Sequence, residues 1–182
     1  IILDLIRGLG EYERLSHEIV ATEDGLRKWL FGERPVAEVV LAYVDTVAVG
    51  FALFFHNFST FLGRPGLYLE DLFVKPEWRG RGIGQRLLTH LAAIAVERGC
   101  GRMEWTVLDW NQAALRFYDR MGARVMREWK LCRLTGEDLT RAAAIDAEAG
   151  ATTRLMDFPL VAQRLYAIRG RVVDAASGAP PT

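Results

Sequence analysis

The sequence predicts an α/β domain in which a β-sheet of mixed strand pairing carries helices on both faces. The order of the patterns along the chain indicates this class: helix, helix, three strands, helix, strand, helix and further strands. The length agrees, since 182 residues can form one sizeable core and are few for two. A glycine-dense loop between the third strand and the next helix is the third indication.

Four helices are predicted from apolar spacing and capping residues. The first ends near Glu13, and the second begins after Thr22. The third covers residues 85–98, and the fourth is capped by Asn111 and ends at Gly122. Apolar residues at helical spacing define the buried side of the third helix, and these are Leu87, Leu88, Leu91, Ala92, Ile94 and Ala95.

The strands are predicted from β-branched and aromatic runs. They cover residues 36–44, 47–56, 68–74, 102–108, 123–126 and 129–134. Residues 45–46 are expected to form a hairpin turn, and residues 57–66 a loop. The main domain is predicted to span residues 1–140, followed by an extension over residues 141–182 with one helix and a disordered tail.

Composition excludes several classes of function. The formal net charge is 0, so no general field attracts nucleic acid or an anionic membrane. No apolar run has the roughly 20 residues of a membrane span, and no signal peptide is expected. Cys100 and Cys132 lack the spacing of metal ligands, so we expect reduced thiols in a cytoplasmic protein without a metal.

The glycine-dense loop has the properties of a phosphate-binding site. It follows the strand over residues 68–74, opens a helix, and contains Arg79, Gly80, Arg81, Gly82 and Gly84. Glycines let backbone N–H groups converge, the helix start adds partial positive charge, and arginine can bind phosphate with two N–H groups. The spacing fits neither a P-loop nor a dinucleotide fingerprint. The alternative is a turn that only joins a strand to a helix.

This loop resembles the acetyl-coenzyme A pyrophosphate loop of the GNAT acetyltransferase superfamily. Residues 68–74, Asp109-Trp110-Asn111 and the helix with Phe117-Tyr118 resemble its spermidine/spermine (diamine) N-acetyltransferase branch, over roughly residues 1–139. The resemblance implies a mainly antiparallel, twisted mixed sheet and a homodimer. It also implies that an N-terminal strand is missing from the sequence.

The resemblance further implies which residues bind the coenzyme. These residues come from three places: the pyrophosphate loop, the preceding strand, which contributes its backbone, and the fourth helix. The set is Leu72, Phe73, Val74, Arg79, Gly80, Arg81, Gly82, Ile83, Gly84, Gln85, Asn111, Ala114 and Tyr118.

Acetyl transfer to an amine requires a base, donors for the oxyanion and an acid for the thiolate. Glu70 is the candidate base, directly or through water, because a carboxylate within an apolar strand is expected to be desolvated and to have a raised pKa. Tyr118 is the candidate acid. The alternatives are an ion-paired carboxylate and a core aromatic residue.

The residues that match the substrate-contacting positions of the family are Tyr12, Glu13, Glu70, Asp71, Glu104, Trp105 and Thr106. The sequence therefore predicts an N-acetyltransferase for a small primary amine, such as a polyamine or a lysine-like amine. Two alternatives stay open: acetylation of a protein or antibiotic amine, and a coenzyme A-binding module without turnover.

Overall fold

A computed structural model describes residues 1–143 and forms two compact units, Ile1–Val125 and a second that begins at Met126. In the first unit, the helices are α1 (Ile2–Glu13), α2 (Glu23–Phe31), α3 (Ile83–Glu97) and α4 (Gln112–Arg120). Its strands are β1 (Glu38–Val44), β2 (Val47–Ser59), β3 (Arg64–Val74) and β4 (Arg102–Trp105). The second unit contains α5 (Gly136–Ala143).

The strands form one sheet in the order β1-β2-β3-β4. The first three are antiparallel, and β4 pairs with β3 in parallel. The predicted α/β class with a mixed, mainly antiparallel sheet is therefore confirmed. The predicted cap of α2 is also present, since the Thr22 side chain accepts a hydrogen bond from the Gly25 N–H at 3.1 Å.

Helices cover both faces of the sheet. On one face, α1 buries Leu5 against Phe51 and Phe73. On the other face, α3 buries Leu87, Leu88, Leu91 and Ala95 against residues of β2 and β3. Of the other two residues predicted to be buried on α3, Ile94 is half-buried and Ala92 is exposed, because Ala92 lies beyond the edge of the apolar stripe.

The predicted loop over residues 57–66 is wrong, because β2 and β3 continue as a long hairpin. Asn57 pairs with Gly66 and Ser59 with Arg64, which leaves only residues 60–63 as the loop. Gly66 does not mark a turn here: a Cβ at this position would collide with Asn57 Oδ1. The glycine therefore serves close packing between the two strands.

The predicted strand over residues 102–108 is shorter than expected, since β4 ends at Trp105. Residues 123–135, all within the described range, form no strand, so the strands predicted over residues 123–126 and 129–134 are wrong. An alternating pattern of apolar residues indicates β-propensity, but a strand also needs a neighbouring strand for its backbone hydrogen bonds. The predicted extension lies outside the described residues beyond Ala143.

Candidate active site

A β-bulge at Glu70 sets the orientation of the site. Leu53 pairs with Asp71 and Phe54 pairs with Leu69, so Glu70 is an extra residue in β3. An extra residue shifts the side-chain alternation by one position. Leu69 belongs to the core beneath α3, whereas Asp71 shares the α1 side of the sheet with its partner Leu53.

The sheet opens next to this bulge. β4 pairs with β3 only from Gly66 to Leu69, through Arg102 to Trp105. Residues 70–74 continue along β2, and no strand formed by residues 1–143 lies on their other edge. Backbone groups on such an edge can pair with an extended ligand. Leu72, Phe73 and Val74, predicted to bind the coenzyme through their backbone, lie in this open segment.

Close packing brings the end of α1 to the same place. Gly8 of α1 lies so near Phe73 that a Cβ there would be 3.0 Å from the Phe73 Cζ. A larger residue would push the helix away from β3. The glycine therefore lets α1 hold Tyr12 and Glu13, at its C-terminal end, beside the open segment.

The glycine loop is shaped by left-handed backbone conformations. Gly80 has a φ of 74° and Gly82 a φ of 75°, and L side chains rarely adopt such values. Gly82 is also the N-cap of α3, and no side chain of residues 1–143 caps the helix start. The first backbone N–H groups of this 15-residue helix are therefore available for an anion, as the sequence predicts.

Both arginines of the loop lie on aromatic rings. The Arg79 guanidinium is 4.1 Å from the centre of the Tyr12 ring, and its Nε donates a hydrogen bond to the Val74 carbonyl at 2.8 Å. The Arg81 guanidinium lies 4.6 Å from the centre of the Trp78 ring. Such cation–π contacts orient an arginine without consuming its hydrogen-bond donors.

Asn111 caps α4, as predicted. Its side-chain Oδ1 accepts a hydrogen bond from the Ala114 N–H at 3.1 Å. The same oxygen accepts a hydrogen bond from the Tyr12 hydroxyl at 3.2 Å. The start of α4 is thereby attached to the end of α1.

Tyr118 of α4 lies in an aromatic cluster with Phe117 of the same helix and Trp105 of β4. Its ring centre is 4.9 Å from that of Trp105 and 5.2 Å from that of Phe117. Burial raises the pKa of Tyr118 to about 12, and the nearby Glu13 and Tyr12 add to this rise. The phenol therefore stays protonated at neutral pH and can act as a proton donor.

The carboxyl groups of Asp71 and Glu13 lie in the same electrostatic environment. Burial raises the pKa of Asp71 to about 6, with further contributions from the charges of Glu70 and Glu13. Burial also raises the pKa of Glu13. Carboxylates that are partly desolvated and repel each other form a favourable environment for a cation.

Glu70 lacks the burial on which its prediction as a desolvated base was based. Its side chain is exposed, because the extra residue of a bulge is displaced from the regular alternation of the strand. The half-buried carboxyl group with the raised pKa is its neighbour Asp71. A role of Glu70 through a water molecule is compatible with this exposure.

We predict that Asp71→Asn stabilises the protein more at about pH 8 than at about pH 5. Burial raises the pKa of Asp71 from 3.8 to about 6. At a pH above this raised pKa, the carboxyl group is ionised in the folded protein, and its burial lowers the free energy of unfolding. As the pH falls through about 6, the folded protein takes up a proton and this cost is relieved. Asparagine has no such cost at either pH.

Thermal unfolding at both pH values measures this effect. Asp119→Asn, which changes an exposed carboxylate on α4, is the control and should leave the melting temperature unchanged. A stabilisation by Asp71→Asn of equal size at both pH values would contradict the assigned pKa.

The remaining predicted substrate residues lie on or after β4. Glu104 is engaged with other side chains: its Oε2 forms an ion pair with Arg102 Nε at 2.8 Å and accepts a hydrogen bond from Asn57 Nδ2 at 3.0 Å. Trp105 packs on Tyr118, and Thr106 is exposed just beyond the strand. The structure thus brings Trp105 to Tyr118, while Glu104 belongs to a polar cluster.

A shallow groove of about 490 Å³ adjoins the glycine loop along α3. It is lined by Gly82, Gln85, Arg86, Thr89, His90 and Ala93. Sequence reasoning named only the first two of these residues. Arg86 lies four residues, about one helical turn, after Gly82, so its position on the helix was the signal that could have found it.

Comparison with known proteins identifies the family. The model of the acetyltransferase (GNAT) family matches residues 4–123. The chain is 40% identical over 153 residues to thialysine N-epsilon-acetyltransferase of Bos taurus, covering 78% of this chain and 89% of that protein. It is 37% identical over 180 residues to L-ornithine N5-acetyltransferase of Arabidopsis thaliana, covering 74% and 79% respectively.

A solved structure agrees with these matches. An integron cassette protein from V. cholerae superposes with a TM-score of 0.64 at 33% identity, covering 75% of this chain and 86% of that chain. The family match and the named relatives define an acetyltransferase. The chain belongs to the GNAT family of acetyltransferases. The family predicted from the glycine loop and its surroundings is therefore confirmed.

Two further properties concern residues 1–143. They contain no cluster of three or more His, Cys, Asp or Glu side chains that could hold a metal ion. None of their helices is both long enough and apolar enough to span a membrane.

Proposed function

We propose that this protein transfers the acetyl group of acetyl-coenzyme A directly to a primary amine of a small molecule, either a polyamine or a lysine-like amine. One observation carries the proposal: Asp71, Glu13 and Tyr118 share an electrostatic environment where the edge of β3 opens. Two carboxyl groups can stabilise a cationic amine, and a phenol can protonate the departing thiolate.

The donor is held by two parts of the chain. The N–H groups at the start of α3, together with Arg79 and Arg81, bind the pyrophosphate. The open backbone at Leu72, Phe73 and Val74 binds the pantetheine arm. Bound there, the coenzyme supplies the acetyl thioester, and backbone N–H groups of the open edge of β3 stabilise the oxyanion.

The acceptor enters as an ammonium ion, whose pKa is near 10 for an alkylamine. Asp71 and Glu13 stabilise this cation. Glu70, exposed at the bulge, accepts the proton through a water molecule and leaves a nucleophilic amine. Tyr118 then donates its proton to the departing thiolate.

The names of the relatives support a small cationic acceptor. Ornithine and thialysine each carry a terminal primary amine on a short chain, and the relatives named above act on these compounds. The two carboxyl groups at the site suit such an amine. A neutral overall charge agrees with recognition by these local groups rather than by a long-range field.

A thiol-release assay tests the proposal. The protein is given acetyl-coenzyme A with spermidine, putrescine, thialysine, ornithine or lysine, and free coenzyme A thiol is measured. We expect amine-dependent release with at least one of them. Binding of the coenzyme without release for any amine would instead indicate a module without turnover.

Two neighbouring carboxylates provide a matched pair of substitutions. We predict that Asp71→Asn raises the KM for the amine roughly tenfold, because a charged hydrogen-bonding partner of the ammonium is lost. Glu70→Gln should instead lower kcat by roughly a hundredfold with little change in this KM, because it removes the base. Steady-state kinetics of both variants measure this.

The pair also tells the two roles apart. If Asp71→Asn lowers kcat and Glu70→Gln raises the KM, the assignments must be exchanged. If neither substitution changes either constant, both carboxylates lie outside the reaction.

A further inference from the structure

Tyr12 makes contacts that its resemblance to a substrate-binding residue did not indicate. Its hydroxyl donates to Asn111 Oδ1 at 3.2 Å, and this oxygen also accepts from the Ala114 N–H at 3.1 Å. Asn111 is buried. The hydroxyl therefore fixes a side chain that caps α4, the helix that carries Tyr118.

The ring of Tyr12 makes a second set of contacts. Arg79 lies 4.1 Å from its centre, and the Trp110 ring centre lies 6.1 Å away. Arg79 is held at the same time by its Nε, which donates to the Val74 carbonyl at 2.8 Å. The planar ring and this carbonyl direct the guanidinium. No other hydrogen bond joins it to a residue in the described part of the chain, so its two terminal nitrogens can bind an anion.

We propose that Tyr12 is a positioning residue that joins the two halves of the active site: its hydroxyl orients α4 and thereby Tyr118, and its ring orients Arg79 for the coenzyme. This inference rests on the proposed function for its kinetic consequences. The contacts themselves do not depend on it.

The contacts of Tyr12 within the protein indicate a positioning role. The single O–H donor of the phenol is used by Asn111 Oδ1, which leaves only a lone pair of its oxygen for an ammonium. The ring face beneath Arg79 is also occupied. Small displacements of a catalytic group are costly, so the effect of losing the hydroxyl should appear in kcat.

Hydrogen exchange tests the contact without turnover. In Tyr12→Phe, we expect the amide of Ala114 to exchange about fivefold faster or more, because its acceptor Asn111 is no longer fixed. The change should be confined to the first turn of α4. Tyr43→Phe, which removes a hydroxyl from a half-exposed side chain on β1, is the control and should leave this exchange unchanged.

Kinetics test the two functions of the side chain separately. Tyr12→Phe keeps the ring, so kcat should fall roughly tenfold while the KM for acetyl-coenzyme A and for the amine stay unchanged. Tyr12→Leu also removes the ring, so the Kd for coenzyme A should rise roughly fivefold. In a Tyr118→Phe background, Tyr12→Phe should have no further effect on kcat, because the group that it positions is gone.

The outcomes separate the inference from the proposed function. Unchanged Ala114 exchange in Tyr12→Phe would overturn the inference. A raised KM for the amine with unchanged kcat would also overturn it, because Tyr12 would then be a substrate contact. If the wild-type protein releases no thiol with any amine, the proposed function fails, and hydrogen exchange and coenzyme affinity alone decide the inference.

Discussion

Tyr118→Phe is expected to lower kcat by about a hundredfold or more, because it removes the proposed acid for the departing thiolate. The phenylalanine ring retains the contacts with Trp105 and Phe117, whose ring centres lie 4.9 Å and 5.2 Å away. The KM for acetyl-coenzyme A should therefore change by less than about twofold. Steady-state thiol release with the preferred amine measures both constants.

The raised pKa of Tyr118 gives this substitution a second signature. Since burial raises this pKa to about 12, the phenol is protonated throughout the neutral range. The ratio of the kcat of the wild-type protein to that of Tyr118→Phe should then be constant between about pH 7 and pH 9. Equal turnover of the two proteins would remove Tyr118 as the acid.

Gly82→Ala raises the KM for acetyl-coenzyme A roughly tenfold, equivalent to about 1.4 kcal/mol. Gly82 has a φ of 75°, and an added Cβ would project into open space at the start of α3, where we propose that the pyrophosphate binds. A methyl group there separates a phosphate from the N–H groups of α3. The left-handed backbone conformation at residue 82 would also cost an alanine about 1 kcal/mol or more of folding stability.

Gly99→Ala is the matched control, because it imposes the same backbone strain away from the cradle. Gly99 has a φ of 68°, also lacks neighbours within 4 Å of an added Cβ, and follows the opposite end of α3. Both variants should lose similar stability, and only Gly82→Ala should lose coenzyme affinity. Equal KM values in the two variants would show that the cradle does not bind the coenzyme.

Features that depend on local chemistry were predictable from the sequence. Thr22 and Asn111 cap their helices as expected, because capping joins atoms three residues apart. The glycine loop was also predictable, because left-handed conformations and a helix start leave a signature in consecutive residues.

Features that depend on strand register were not predictable. The bulge at Glu70 arises from pairing between β2 and β3, and it exposes Glu70 and moves Asp71 to the α1 side. A regular strand would have kept Asp71 on the same side as Leu69. The pairing of Asn57 with Gly66 likewise turned a predicted loop into a hairpin.

Contacts between distant segments were the least predictable. The hydrogen bond from Tyr12 to Asn111 joins residues 99 positions apart. Nothing in the local sequence of α1 indicates it, and it depends on the close approach of Gly8 to Phe73. The sequence thus indicated candidate residues for the site but not the contacts between them.

Initial rates with both substrates varied test the central proposal most directly, which is direct acetyl transfer from acetyl-coenzyme A to a small amine at the open edge of β3. Thiol release should depend on the amine, and double-reciprocal plots should intersect, because both substrates must be bound together. Parallel lines with an acetylated protein in the absence of amine, or no release with any amine, would contradict it.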